Sequence, residues 1–321
     1  MPPSLPLFAL ALLFAAPVPP PMPWNNSGHR ILALRAWSEL TPRTRDALAA
    51  LLRQHPRFAE DLQVGVPDGA DEATRSALAF ALAAHWPDTV RSLSHPMHKV
   101  ANHPLWHYID VPFTIGDFSP PSQRPEPDAG AANIVQAIRK NLADLGNREL
   151  PGADRAIALC WVVHLITDIH QPLHACNLYS QQFPGGDKGG TGFFVVREVF
   201  DPNSRTSLHT IWDSLLGNYQ QATTDQLVAE GFAGRPEFAR AHFARELAVT
   251  DVEDWVRESH ELAVRWGYRN GELLGSADAK DPKAPPLPPG YLAAAEAVAL
   301  QRGALAALRL ADALNAIFAP N

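Results

Sequence analysis

The sequence predicts an all-α protein, a single-domain bundle of many helices. Apolar residues recur at helical spacing along most of the 321-residue chain. The Ala- and Leu-rich segment 290–318 could form one long helix against which the others pack. Only one run, TGFFVVREVF at 191–200, has the composition of a strand, and we expect it to form a short β-hairpin insertion.

The first 23 residues are expected to be a signal peptide followed by a proline-rich leader. Residues 1–16 contain an apolar run of about twelve, which is the size of a signal-peptide core and too short to cross a bilayer. This predicts a secreted or periplasmic protein whose catalytic domain covers 24–321. No later segment stays apolar over the roughly 18 residues of a membrane helix, so we expect no membrane association.

Helix signals then follow one another to the C-terminus. Thr41 and Pro42 combine an N-cap with a proline in the first turn, so a helix should begin there and run to about Arg53. Further helices are predicted at 28–39, 71–84, 130–145, 153–170, 206–216, 235–247, 251–270 and 290–318. The proline-rich segment 275–290 is interpreted as a loop, because the single helix after it could not form its own core.

Composition excludes several classes of protein. The chain has 27 Lys+Arg against 34 Asp+Glu and a net charge of −7, so no basic surface for non-specific binding of nucleic acid is expected. Only two cysteines occur, Cys160 and Cys176, which excludes a cysteine-rich zinc module. A mostly helical stretch separates them by more than a disulfide can span. We therefore expect both to be small buried hydrophobic residues.

Histidine and aspartate concentrate in two apolar segments. In HLITDIHQPLH, His164 and Asp168 are four residues apart, so both lie on one face of a helix, and His174 follows a proline break. SLHTIWDSLL repeats the spacing with His209 and Asp213. One such pair is more often a simple hydrogen-bonded couple than a ligand set. Two pairs with a third histidine predict a site for zinc, which binds imidazole nitrogen and carboxylate oxygen.

Seven sequence fragments, taken together, resemble one enzyme family. They are W-x-x-x-G-H at 24–29, W-x-D-x-x-R at 86–91, H-Y-I-D at 107–110, H-x-x-x-D-I-H-Q-P-L-H at 164–174, G-G-D-K-G-G at 185–190, S-L-H-x-x-W-D at 207–213 and A-L-R-L-A-D-A-L-N at 307–315. In this order the chain resembles the S1/P1 nucleases, zinc-dependent enzymes whose mainly helical fold is related to zinc phospholipase C. The resemblance extends over about residues 24–318.

The resemblance implies three zinc ions in one cleft. The first ion would be held by Asp88, His107, His164 and Asp168. The second would be held by His174, His209 and Asp213. The third would be held by Trp24, through a free α-amino group and carbonyl, by His29 and by a shared Asp168.

The resemblance also implies roles in catalysis for Asp88, Arg91 and Asp168 and in substrate binding for Tyr108 and Asp110. Arg91 would add a fixed positive charge to the transition state. Tyr108 would stack on a base, and Asp110 would accept hydrogen bonds from base N–H groups.

These interpretations predict a secreted zinc-dependent phosphodiesterase. It would hydrolyse single-stranded DNA or RNA, and 3′-nucleotides, and leave 5′-phosphates. Two alternatives remain open: a phospholipase C-like zinc phosphodiesterase acting on lipid head groups, which would need an apolar rim, and a non-catalytic zinc-binding protein. No obligate protein partner is indicated. His170, within the same motif, is expected to be a structural histidine that hydrogen-bonds a carboxylate or a backbone group.

Overall fold

Helices make up most of the chain. The computed structural model describes residues 25–120, 130–197, 204–217 and 222–319. The α-helices of this part are α1 Asn26–Glu39, α2 Pro42–Leu52, α3 Phe58–Asp61, α4 Glu72–Thr89, α5 His98–Ala101, α6 Ile134–Gly146, α7 Gly152–Asp168, α8 Leu208–Asp213, α9 Ala222–Ala233, α10 Ala244–Leu247, α11 Val252–Leu262 and α12 Tyr291–Ile317. The predicted all-α fold is confirmed.

The strands are short and form two pairs. β3 (Phe194–Val196) and β4 (Arg205–Ser207) are antiparallel, so the predicted hairpin begins within 191–200, although residues 198–203 lie outside the described part. β1 (Pro112–Thr114) and β2 (Asn177–Tyr179) are parallel. This second pair was not predicted, because three-residue strands carry too little alternation to be recognised.

Two predicted helices are interrupted. In place of a helix over 235–247, two 3₁₀ turns precede the short α10, because Ala239 has an extended backbone. The helix predicted over 251–270 ends as α11 at Leu262 and continues as a π-helical turn, Ala263–Gly267. Positive φ angles at Arg269 and the two residues after it then stop the helical path.

Helix α7 lies at the centre of the fold. It packs against α1, α2, α4, α6 and α12, and almost every residue from Ala156 to Asp168 is buried. Such a helix must be apolar on all sides, and from Ala156 onward α7 is, apart from its last turn. There His164, Thr167 and Asp168 are each at most 1% exposed. Buried polar groups need partners, so this turn is where a site is expected.

The segment after α7 joins two apolar clusters. Ile169 and Ala175 pack in the cluster built around α4, α6 and α7. Leu173 and Cys176 pack in a second cluster, around Trp212 and the N-terminal half of α12. Cys160 and Cys176 are both buried and unbridged, as predicted. No helix of the described residues is long and apolar enough to cross a membrane.

Candidate metal centre

Asp168 stands between histidines from three parts of the chain. Its Oδ2 lies 2.9 Å from His164 Nε2 and 3.2 Å from His107 Nδ1. Its Oδ1 lies 3.3 Å from His29 Nε2 and 3.5 Å from His174 Nδ1. The two oxygens of one buried carboxylate therefore face different pairs of imidazoles. Such a carboxylate can bridge two cations.

Helix ends place the first group of ligand-type side chains. His164 and Asp168 share the last turn of α7, as their spacing predicts. Asp88 lies in the last turn of α4, and His107 ends the 3₁₀ turn Pro104–His107. His29, in α1, stacks on His164 with ring centroids 4.1 Å apart, and its Nε2 is 3.9 Å from Asp88 Oδ2.

A second group lies beyond the proline break. His209 and Asp213 lie one turn apart in α8, which Ser207 caps by accepting from the Thr210 N–H. His209 Nε2 is 3.2 Å from Asp213 Oδ2. His174 Nε2 is 3.6 Å from Asp213 Oδ1, and its ring stacks on that of His209 at 5.0 Å. The break at Pro172 thus turns His174 from the first group toward the second.

Four histidines are oriented by hydrogen bonds from Nδ1–H. His164, His174 and His209 donate to the backbone carbonyls of Ala84, His107 and Gly189, at 2.8, 2.9 and 2.7 Å. His29 donates to the Thr167 hydroxyl at 2.7 Å, because that hydroxyl itself donates to the His164 carbonyl. This tautomer leaves the Nε2 lone pair toward the carboxylates, which is how proteins hold metal-binding histidines.

The donor set fits zinc. Within the described chain, three groups place their ligand atoms within 4.8 Å of one another: His29, Asp88 and His164; His107, His164 and Asp168; His174, His209 and Asp213. Nitrogen and carboxylate oxygen are the donors of catalytic zinc sites. His174 Nε2 is buried and makes no hydrogen bond. This nitrogen faces Asp213 and has no hydrogen-bond donor, and a role as a cation ligand would explain why.

A cleft of about 530 Å³ opens beside these groups. His29, Asp88, His107, Asp168, His174, His209 and Asp213 line it, together with Arg91, Tyr108 and Asp110. Arg91 Nη1 lies 3.2 Å from Asp88 Oδ1, while its side chain stays 56% exposed. The structure thus brings together every predicted site residue that it describes. Trp24 lies outside the described residues, so its place in the third group stays a prediction.

Comparison with known proteins identifies the family. The S1/P1 nuclease family model matches residues 24–319. The chain belongs to the S1/P1 nuclease family. The phospholipase C/P1 nuclease type of fold predicted from the sequence is confirmed with it.

Two curated relatives are nucleases by name. Nuclease S1 of Aspergillus oryzae is 27% identical over 224 residues, which cover 67% of this chain and 60% of the relative. The chain thus matches less than two thirds of that protein's length. Endonuclease 3 of Arabidopsis thaliana is 25% identical over 281 residues, covering 81% of this chain and 83% of the relative.

The electrostatics of this S1/P1-family centre call for positive charge. Burial opposes ionisation of Asp168 and Asp213, but the neighbouring histidines hold the pKa of each carboxyl well below its usual range. Burial likewise lowers the pKa of His164, yet Asp168 and Asp88 outweigh it and raise that pKa to about 9. Burial also lowers the pKa of His209, but the neighbouring Asp213 outweighs it and raises that pKa to about 9. Bound cations would replace these protons.

Other cleft residues were not singled out from the sequence. Asn177, on β2, accepts the Lys188 N–H at 2.9 Å and donates to the Tyr179 hydroxyl at 3.0 Å. Lys188 and Tyr179 both line the cleft. Gln171 donates to Asp213 Oδ1 at 2.8 Å and so holds that carboxylate in place. The G-G-D-K-G-G fragment could have pointed to Lys188, but nothing local marks Asn177 or Tyr179.

Glycine is required where that fragment approaches the centre. Gly189 has φ +61°, and a Cβ there would lie 2.5 Å from the Leu173 carbonyl oxygen. This close approach lets the Gly189 carbonyl accept from His209. Asp187, in the same loop, accepts from the Tyr268 hydroxyl at 2.6 Å and the Leu178 N–H at 2.9 Å. The loop thereby fixes the ring of His209.

Proposed function

We propose that this protein is a zinc-dependent phosphodiesterase that cleaves single-stranded nucleic acid and 3′-nucleotides and leaves 5′-phosphates. The observation that carries the proposal is the arrangement around Asp168: His and Asp groups that suit zinc open onto a cleft with one exposed arginine and one exposed tyrosine. Membership of the S1/P1 nuclease family, and two relatives named as nucleases, support the same chemistry.

The zinc ligands would divide as the resemblance implies. One ion would take Asp88, His107, His164 and Asp168; a second would take His174, His209 and Asp213; a third would take His29, Asp168 and Trp24. Zinc in such a site supplies positive charge to the phosphate and makes water a better nucleophile near neutral pH. Asp168 would keep the ions close together through its two oxygens.

Arg91 and Tyr108 would bind the substrate. The guanidinium of Arg91 is anchored by Asp88 at 3.2 Å and keeps exposed N–H groups for the phosphate oxygens. Tyr108, 37% exposed in the cleft, offers a ring face to a base, and Asp110 offers a carboxylate to base N–H groups. A base can stack on Tyr108 only when it has left its own stack, so single strands are favoured.

A second candidate is a phospholipase C-like enzyme. The segment between Arg91 and Pro104, both of which line the cleft, exposes Leu93 and Val100 at 87% and 71%. Neither Leu93 nor Val100 lines the cleft itself, but exposed apolar side chains in a segment between two cleft residues would suit a lipid. A purely metal-storing protein is less well supported, because storage needs neither a cleft nor an arginine beside it.

The N-terminus bears on the third ion. We also propose export and a mature chain that begins at Trp24. An α-amino group with a pKa of about 7.7–8.0 can release its proton to solvent near neutral pH and bind zinc through the freed lone pair, whereas an amide cannot. Intact mass of exported, active protein checks this. Full activity in a chain that keeps residues 17–23 would contradict an amine ligand.

Hydrolysis assays decide between the candidates. Purified protein is incubated with single-stranded DNA, single-stranded RNA, a duplex of the same sequence, a 3′-nucleotide and phosphatidylcholine vesicles, each with and without EDTA. We expect cleavage of the single strands and the 3′-nucleotide, 5′-phosphate ends, loss with EDTA and recovery with added zinc. Cleavage of phosphatidylcholine alone would favour the second candidate. Zinc binding without any hydrolysis would overturn both.

A further inference from the structure

A buried charged network adjoins the segment that follows Asp168, and none of its members lines the cleft. Its members come from three helical segments: Arg302 and Arg309 from α12, Glu258 and Ser259 from α11, and His170 from the turn after α7. Arg309 belongs to the A-L-R-L-A-D-A-L-N fragment, which the proposed chemistry does not use.

Arg309 makes more hydrogen bonds than any other residue of this network. Its guanidinium binds both oxygens of Glu258, at 2.7 and 2.8 Å, and the Glu246 carbonyl at 2.8 Å. It also donates to His170 Nε2 at 2.9 Å. Arginine cannot accept a hydrogen bond, so His170 Nε2 is the acceptor. The proton of His170 is then on Nδ1, which donates to the Ile166 carbonyl at 2.8 Å inside α7.

A second set of contacts holds the backbone next to His170. Arg302 donates to Glu258 at 2.8 Å and to the Ser259 hydroxyl at 3.0 Å. The Ser259 hydroxyl in turn donates to the Ile169 carbonyl at 2.5 Å. Residues 169 and 170 are therefore tied to α11 and α12 immediately after Asp168 and four residues before His174.

The charges of the network do not balance. Two arginines, with side chains 2% and 7% exposed, share the single carboxylate of Glu258. Such an arrangement is a costly way to hold helices together, since apolar residues of similar size often stabilise a core at least as well. One further donor of Arg309 goes to the Glu246 carbonyl on α10. The others go to the segment that carries Asp168 and His174: to the imidazole and the carbonyl of His170 and, through Ser259, to the Ile169 carbonyl.

We propose that Arg309 is a positioning residue for the metal centre, acting through His170. This inference rests on the proposed function, because it concerns the zinc ligands named there. Arg309 fixes the imidazole of His170, and His170 and Ser259 together fix the chain between Asp168 and His174. Without the bidentate guanidinium of Arg309 this chain segment becomes less ordered. The carboxylate of Asp168 and the imidazole of His174 then no longer keep their distance of 3.5 Å.

Arg309→Lys tests the proposal, because lysine keeps the charge but cannot bind Glu258 and His170 together as the planar fork does. The matched control is Arg35→Lys: Arg35 is equally buried, at 3% exposed, and binds Glu39 and Ser38 on α1. Zinc affinity is measured by competition with a chelating dye, alongside kcat, KM and the melting temperature of the zinc-free protein.

We expect Arg309→Lys to weaken zinc binding by about tenfold and to lower kcat by a similar factor, with KM for an oligonucleotide unchanged. Arg35→Lys should lower the melting temperature while zinc affinity stays within about twofold of wild type. In a double-mutant cycle, His170→Ala and Arg309→Lys should not add, since one acts through the other.

Three results would overturn the inference. Arg309→Lys could bind zinc as tightly as wild type, Arg35→Lys could weaken zinc binding equally, or the effects of His170→Ala and Arg309→Lys could add. In each case wild-type protein still binds zinc and cleaves, so the proposed function stands. Wild-type protein that binds no zinc would instead overturn the proposed function, and this inference with it.

Discussion

Replacement of Asp168 by asparagine should remove most of the metal and almost all of the activity. Asparagine has the shape of aspartate but no charge, so the packing of the last turn of α7 is kept. The wild-type carboxylate has four imidazole nitrogens within 3.5 Å, two at each oxygen. Asparagine offers one oxygen and one NH₂ group, and the NH₂ group cannot bind a cation. One of the two oxygen ligands at this position is therefore lost.

The structure indicates how much metal remains. His174, His209 and Asp213 form a group of their own, with the carboxylate 3.2–3.6 Å from the two imidazoles. We expect Asp168→Asn to keep about one zinc ion per chain in this group. Because adjacent ions act together on the phosphate, kcat should fall at least about 10³-fold, equivalent to about 4 kcal/mol of transition-state stabilisation.

Asp213→Asn is the matched comparison, since it removes one carboxylate from a single group. Elemental analysis after gel filtration should show one ion fewer than wild type for Asp213→Asn and a larger loss for Asp168→Asn. Single-turnover cleavage of a labelled oligonucleotide gives the rates, and circular dichroism checks the fold. Equal zinc content in Asp168→Asn and wild type, with kcat within tenfold, would refute the bridging role of Asp168.

Three further predictions concern other parts of the molecule. Arg91→Ala should lower kcat by about 10²–10³ with zinc content intact, measured by steady-state cleavage and elemental analysis; a wild-type kcat would mean that Arg91 is only a surface residue. Tyr108→Ala should weaken oligonucleotide binding by about 1–3 kcal/mol; an equal loss on a base-free phosphodiester would show that Tyr108 shapes the centre instead. Burial lowers the pKa of His55 from 6.5 to about 4, below its unfolded value. The unfolded chain therefore gains a proton first as the pH falls, and stability decreases from pH 6.5 to 4 by up to about 3 kcal/mol. His55→Asn should flatten this part of the melting-temperature profile, and an unchanged profile would contradict the assignment.

Local spacing predicted the parts of the site that lie within one helix. The His164–Asp168 and His209–Asp213 pairs could be placed because residues four apart share a helix face. The meeting of α1, α4 and α7 at Asp168 follows from packing between distant segments, which periodicity does not encode. Only the resemblance to a family connected His29 with the other ligands. Asn177 was not predicted as a cleft residue, because the three residues of β2 are too few to show an alternating pattern.

The fold was predictable where helices are long. Helix α12, 27 residues with apolar groups on most sides, was placed within a residue at each end. Between 235 and 247 the composition is helical, but Ala239 is extended and the chain forms separate turns. Tertiary contacts decide such short segments, because a few residues of helix gain too little from their own hydrogen bonds.

The alternating packing of residues 169–176 has a consequence for assembly of the active protein. Ile169 and Ala175 belong to one apolar cluster, Leu173 and Cys176 to the other, and His174 lies among them. A folding intermediate with only one cluster formed would leave this segment without half of its packing, so Asp168 and His174 could not be held at ligand distance. The centre would then be the last feature to mature. In hydrogen-exchange measurements the amides of these residues should exchange only through global unfolding, and the nascent chain would have no catalytic centre until its C-terminal helix had docked.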